Sequence, residues 1–338
     1  LYLQARYFLA KRGGDNILKS IELFKQATIL DESFSEAWSG MSYAYGLANV
    51  YTRKISSSRS TELALESARK AILIDPENAE AYMALARTQG QGDRDIVHAL
   101  GNYEKALLLA PNNVDIINMY GDFLINNGNF EKALEMEARA IELDPLAAVH
   151  YSDLAFVMLL LQRNEEALEA AQTSARLAPE SYDRLEPLIV VLIRLGKYEQ
   201  AKELMNMATD KLVADPGYVS YWWCMLYYHQ GDRENLRKQL NQRLESAAQS
   251  DDYYPNSVTA FFALWLDGVE AALPLYEKSY EEKEGLLGWP EFFYLPEDVS
   301  DDPAWIAFWQ KPGLAELMEM RRTNGPYENI GYWKAPTP

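Results

Sequence analysis

Residues 114–147 read VDIINMYGDFLINNGNFEKALEMEARAIELDPLA, and they describe one helical hairpin. Gly121 lets a first helix pack closely, Asn127-Gly128-Asn129 turns the chain, Ala133 and Ala140 sit seven residues apart on a second helix, and Asp144-Pro145 stops it. A hairpin of 34 residues cannot bury its apolar face alone, so its meaning depends on whether the chain repeats it.

The chain does repeat it. Pro76, Pro111, Pro145 and Pro179 fall 35, 34 and 34 residues apart, and Pro216 follows after 37. An alanine pair seven apart precedes each: Ala64 and Ala71, Ala99 and Ala106, Ala133 and Ala140, Ala167 with Ser174, and Ala201 with Ala208. In the first unit, Leu1 to Phe34, Ser20, Phe24 and Ala27 mark the second helix and Glu32 replaces the proline.

These residues resemble a tetratricopeptide repeat (TPR) array, a family whose first helix carries a bulky residue, Leu, a small residue and an aromatic. Its second helix carries Ala, a large residue and Ala, with a closing Pro. Trp38, Met41, Ser42, Tyr45, Ala64, Ala68, Ala71 and Pro76 fit that pattern, as do Tyr82, Leu85, Ala86, Gln89, Ala99, Tyr103, Ala106 and Pro111. Leu1 to Ser250 fits well and the rest poorly. The resemblance implies an all-α, right-handed TPR superhelix (an α-solenoid) of seven to eight hairpins with a C-terminal cap. Units are expected near 1–34, 35–78, 79–113, 114–147, 148–181, 182–217, 218–250 and 255–284, with residues 285–338 as an aromatic, proline-rich cap and tail. The opening LYLQARYFLAKRG, followed by IELFKQATILDESFSEAWSGMSYAY, is similar to the start of TPR regions in bacterial multidomain proteins. Those include membrane-anchored winged-helix transcription regulators, class III adenylate cyclases and serine/threonine kinases.

A net charge of −18 argues against a partner that must be held by its phosphates. One Cys and three His exclude a disulfide framework and argue against a metal centre. No run of roughly 18 apolar residues predicts a membrane span, and the N-terminus does not read as a signal peptide. Leu1 in place of a start methionine predicts a piece of a longer chain. That piece is periplasmic if a membrane-anchored winged-helix regulator precedes it, and cytoplasmic otherwise.

Enzyme signals are missing, and no cofactor is expected. His98, His150 and His229 lie in different units without a ligand-spaced partner, and Cys224 lacks a neighbouring base. Glu165-Glu166 and Glu281-Glu282 read as solvated faces. Residues 46–56 are extra within the second unit and map to a loop or a lengthened first helix, read as a solvated connector with a contact loop for a partner as the alternative; Gly90, Gly92 and Asp93 read as a turn. Leu236, Leu240 and Leu244 are expected on one buried face.

What the resemblance offers for function is the concave wall. The fifth and ninth positions of each unit point there: Ser39 and Tyr43, Met83 and Arg87, Asn118 and Asp122, Ser152 and Phe156, Glu186 and Val190. The family's clamp for a C-terminal carboxylate needs Lys and Asn plus a basic pair. Only Arg87 and Asn118 come close, so a mixed polar and aromatic groove for a peptide is expected instead. Tyr218, Tyr221, Trp222, Trp223, Tyr227 and Tyr228, with Tyr253 and Tyr254 nearby, are too many aromatics for one core. Packing against the cap is the expectation, and a recognition patch including Tyr221, Trp223 and Tyr228 the alternative. The sequence therefore predicts a non-catalytic protein- or peptide-binding scaffold, the sensory or interaction region of a larger bacterial regulator. A structural homodimerisation module and a carbohydrate or small-ligand binder are the alternatives.

Overall fold

Several helices start where a short polar side chain precedes the first turn. Asn78, Asn113 and Asn129 accept hydrogen bonds from the backbone N–H of Ala81, Ile116 and Lys132, and Ser56 and Asp95 do the same for Arg59 and His98. The computed structural model describes residues 1–52, 54–212, 214, 216–249, 255–284, 299 and 301–324, and every regular element among them is helical. Consecutive helices pack in pairs. These are α1 (Tyr2–Lys11) and α2 (Gly14–Leu30), α3 (Ser35–Tyr51) and α4 (Ser57–Ile74), α5 (Ala79–Thr88) and α6 (Ile96–Leu109), and α7 (Val114–Asn126) and α8 (Phe130–Leu143). Next come α9 (Ala148–Leu160) and α10 (Asn164–Leu177), α11 (Tyr182–Arg194) and α12 (Tyr198–Lys211), α13 (Pro216–Gln230) and α14 (Arg233–Gln249), and α15 (Asn256–Asp267) and α16 (Val269–Glu281). Two short helices follow, α17 (Pro303–Trp309) and α18 (Leu314–Asn324). The fold is the expected all-α TPR solenoid.

The alanine pairs explain the close helix packing. Ala99 and Ala106, Ala133 and Ala140, and Ala201 and Ala208 are all fully buried, so each second helix brings its backbone against its neighbours without a side chain between. Where serine replaces the second alanine, the Ser174 hydroxyl is satisfied by the Ala148 carbonyl at 3.0 Å and the Ser152 hydroxyl at 2.7 Å. The prolines divide into two roles. Pro76, Pro111 and Pro145 directly follow the last helical turn, whereas Pro216 opens α13, where its fixed φ suits a first helical position.

The core is a string of local clusters, as a solenoid requires. One joins α1, α2 and α3; a second runs from α5 to α9; a third continues from α9 to the C-terminal helices.

Several expectations are corrected. Residues 46–51 lengthen α3 rather than opening as a connector, because Gly46 to Asn49 are buried and the Asn49 amide donates to Thr61 Oγ1 at 3.0 Å. The turn read at Gly90, Gly92 and Asp93 is there, as a π-helical turn over Gln89–Asp93 that continues α5. Leu244 is 42% exposed; its neighbour Arg243 is buried instead, donating to Thr259 Oγ1 and the Gly217 carbonyl, each at 3.0 Å.

The C-terminal segment does more than close the end. Trp305 and Phe308 of α17 pack on Tyr276 of α16 with ring centres 5.1 and 5.7 Å apart, which covers the last hairpin. From there α18 crosses to the middle of the array, where Leu317 joins the cluster of α5 to α9. The last hairpin returns there too. Arg94, beyond α5, donates to the carbonyls of Tyr280 at 3.2 Å and Glu284 at 3.2 Å, and Lys283 pairs with Asp93 at 2.6 Å. The proline- and aromatic-rich stretch 285–298 and the tail 325–338 lie outside the described residues.

Candidate functional site

The first helices of successive pairs bring charged side chains to one groove. The Tyr43 ring of α3 lies 5.5 Å from the Arg12 guanidinium, which follows α1, and 5.7 Å from that of Arg87 on α5. Arg12 also donates to the Tyr43 hydroxyl at 3.3 Å. Further along, Asn118 of α7 donates to Asp153 of α9 at 2.5 Å, and Arg184 of α11 donates to Ser152 at 3.3 Å. The lengthened α3 carries Tyr51 into electrostatic reach of Asp183, Arg12 and Arg184, and burial pushes its hydroxyl up to about 12. Among the described residues, none of Arg12, Arg87 and Arg184 has a carboxylate within 4.0 Å.

Three carboxylates from three helices cluster further along the groove, beyond ion-pair range of these cations. Asp122 and Asp153 keep partial exposure but stand in a narrow groove walled by protein; burial raises the proton affinity of both, and the Asp153 charge raises that of Asp122 further. Arg87 and Arg184 act against the rise at Asp122, and Arg184 and the Asn118 amide at Asp153. Glu137 of α8 is fully buried behind them. Neither of its oxygens has a hydrogen bond of ordinary geometry among the described residues; burial with the charges of Asp153 and Asp122 raises its proton affinity strongly, and the nearby Asn118 amide opposes the rise. Its carboxylate occupies the space that any Cβ at Gly121 would need, so that glycine is what admits it.

Of the expected wall residues, Tyr43, Arg87, Asn118 and Asp122 come together here. Ser39, Met83 and Tyr43 line its N-terminal mouth with Arg6, Glu80 and Asp115, a pocket of about 170 Å³. Ser152 is buried and turned toward Ser174, Val190 is core, and Phe156 is half-buried against the third cluster. Glu186 is buried, and its charge bears on Tyr218. Tyr221 and Tyr228 belong to the α13–α15 interface, at 6.4 Å from Phe262 and 4.6 Å from Trp265, while Trp223 stacks on Tyr227 at 5.7 Å. Among the described residues Tyr221 and Tyr228 thus pack on α15, and the same core cluster takes in Trp305, Phe308 and Trp309 of the C-terminal cap; Tyr253 and Tyr254 lie outside the described residues.

Sequence reasoning missed Arg12, Glu137, Asp153 and Arg184. Glu137 left a readable trace, since a glutamate between Ala133 and Ala140 on the packing face has no reason to be there for solubility. The remaining reactive groups are quiet. Burial lowers His150 and drives His229 down to about 3, Cys224 is pushed up to about 12, and His98 is exposed beside Asp95 at 2.8 Å. No group of three or more His, Cys, Asp or Glu among the described residues is placed to hold a metal ion.

Paired helices with buried small residues at their crossings are the architecture of a TPR solenoid. The tetratricopeptide repeat model matches residues 102–135, and the array of hairpins has the TPR fold. It is similar to the type IV pilus assembly protein PilF of Pseudomonas aeruginosa, at 34% identity over 119 residues, covering 35% of this chain and 47% of that protein. The chain thus matches about half the length of this curated relative. Among solved structures it resembles the human IFIT1 dimer with m7Gppp-AAAA, at a TM-score of 0.57 and 15% identity over 81% of this chain and 69% of that one. It also resembles a tetratricopeptide repeat protein from Parabacteroides merdae, at a TM-score of 0.51 and 16% identity over 78% of this chain and 92% of that one. These structural likenesses concern the fold. No helix among the described residues is long and apolar enough to cross a membrane.

Proposed function

We propose that this chain is a non-catalytic scaffold whose groove binds an extended peptide carrying both acidic and basic side chains. The observation that carries the reading is the arrangement of charge: Arg12 and Arg87 flank Tyr43 without a carboxylate in ion-pair range among the described residues, and Asp122 and Asp153 are crowded together beside them. A ligand carboxylate satisfies the guanidinium groups, and a ligand ammonium relieves the paired aspartates. Rigid packed helices hold these groups before the ligand arrives, which lowers the ordering cost of binding.

The quiet Cys224 and His229 support a role without chemistry, and the net charge of −18 supports a protein rather than a nucleic-acid partner. The PilF similarity and the regulator-like opening stretch support an interaction region within a larger bacterial assembly or regulatory protein. Peptide display on the full chain, followed by calorimetry, tests the groove. Selected peptides should lose roughly tenfold or more in affinity, about 1.4 kcal/mol, for Arg87→Ala and for the Asp122→Asn, Asp153→Asn double variant. Peptides that bind both variants as tightly as the parent place recognition elsewhere.

A further inference from the structure

Charge in the inner groove does not balance. Asp122 of α7, Glu137 of α8 and Asp153 of α9 bear on one another. The cations that reach them are Arg87 of α5, acting on Asp122, and Arg184 of α11, acting on Asp122 and Asp153. Arg184 is shared with Asp183, which Arg12 also meets. Two neutral groups face the cluster as well: the Tyr103 hydroxyl of α6 lies in reach of Asp122 and Arg87, and the Asn118 amide donates to Asp153 at 2.5 Å and stands near Glu137. Fully ionised, the three carboxylates would face two guanidinium groups, which leaves at least one negative charge without a counter-ion. Walled by protein, that charge is costly, and either a proton or a cation from outside has to meet it.

The geometry admits both. Glu137 is fully buried, and its oxygens lack a hydrogen bond of ordinary geometry among the described residues, so the neutral acid suits its site better than the anion. Asp122 and Asp153 instead keep partial exposure, where an arriving cation can touch them. Arg87 is only 7% exposed, yet it makes no hydrogen bond or ion pair among the described residues, and the Asp122 carboxylate makes none either. Gly46 seats the Arg87 guanidinium, since a Cβ there would lie 2.8 Å from Nη1. A nine-tenths-buried donor with nothing to donate to, in electrostatic reach of an acceptor with nothing to accept from, marks a place that an arriving group completes.

We infer that Asp122, Asp153 and Glu137 together hold one proton in the free chain, and that one lysine or arginine side chain of the bound peptide takes its place on Asp122 and Asp153, releasing the proton to solvent. The exchange balances: the ligand brings one positive charge, the proton carries one away, and the cluster keeps its net charge. The proton belongs to the three groups jointly rather than to any one of them. The inference rests on the groove being the peptide site, but the proton and its exchange are measurable without a peptide.

The test uses the full chain with carbon-13-labelled Asp and Glu carboxyls, titrated by NMR. The probe is n-butylammonium chloride, the head group of a lysine side chain, set against an equal concentration of sodium chloride. One carboxyl of the cluster should titrate at least about two pH units above an ordinary value of about 4.3. Butylammonium should lower that midpoint by about half a unit, a roughly threefold loss of proton affinity, and sodium should not. Glu137→Gln leaves two carboxylates against the two guanidinium groups, so the high midpoint and the response to butylammonium should both vanish. Should that variant not fold, Asp153→Asn makes the same comparison. Three carboxyls with ordinary midpoints, a high midpoint that butylammonium moves no further than sodium, or a high midpoint that persists in a folded variant overturns the inference. A peptide selection that yields no groove binder removes the groove as a peptide site and leaves these three outcomes as decisive as before.

Discussion

Tyr43 on α3 and Arg87 on α5 face each other across a helix pair, with the guanidinium 5.7 Å from the ring centre, and Arg12 approaches the same ring at 5.5 Å. One aromatic thus organises two cations that come from opposite ends of the first three hairpins. Replacing it with leucine should keep the helices and lose both contacts, for a stability decrease of about 1–2 kcal/mol. Urea unfolding followed by circular dichroism measures this; an unchanged midpoint would show that the ring merely fills space.

Stability should fall with rising pH because of Glu137. Its proton affinity is raised in the fold, so the native state binds more protons than the unfolded chain above an unfolded carboxyl value of about 4.3. The slope of unfolding free energy with pH is then negative: the contribution is full below that value and is lost as pH rises toward the native value. His229, held down to about 3, works oppositely and costs stability as pH falls below about 6.5, and His150 acts in the same direction. The difference between parent and Glu137→Gln isolates the glutamate, and the variant should be the more stable near neutrality with a shallower decline. Parallel melting curves across pH 5–8 would contradict this.

Gly101 sits within α6 with nothing within 4 Å of where its Cβ would be, so Gly101→Ala should stabilise by up to about 1 kcal/mol. Ala133, fully buried on α8, should behave oppositely, and Ala133→Leu should cost about 1–3 kcal/mol by overpacking. Thermal melts of the two variants should move in opposite directions.

Cys224 should not react with a thiol reagent at pH 8 while the chain is folded, since it is fully buried and its thiol is pushed up to about 12. One equivalent should react after denaturation. Rapid labelling of the native protein would place the thiol elsewhere.

Arg94 ties the last hairpin to the third, so Arg94→Ala should loosen the superhelix while leaving each hairpin intact. A larger radius of gyration in solution scattering with unchanged helicity is the expected result. An unchanged radius would mean that α17 and α18 close the array alone.

Much of the fold was legible because a solenoid is written in local terms. The alanine pairs mark where helix backbones touch, and the prolines mark where helices cannot continue. The site was less legible. Counting positions within units found Tyr43, Arg87, Asn118 and Asp122, but on α9 it pointed to Ser152, whereas Asp153 faces the groove. One residue is about 100° of helix rotation, and only packing against the neighbours fixes that angle. Leu244 and Arg243 exchanged roles for the same reason.

The sequence by itself determined the repeating hairpin, its period and its small packing residues, because each depends on contacts within about 40 residues of chain. The tertiary structure decided the rest: that Arg94 meets Glu284, and Arg321 meets Asn126, across 190 and 195 positions. Such meetings depend on superhelical curvature, which accumulates from small rotations between successive units and has no signature in any one of them.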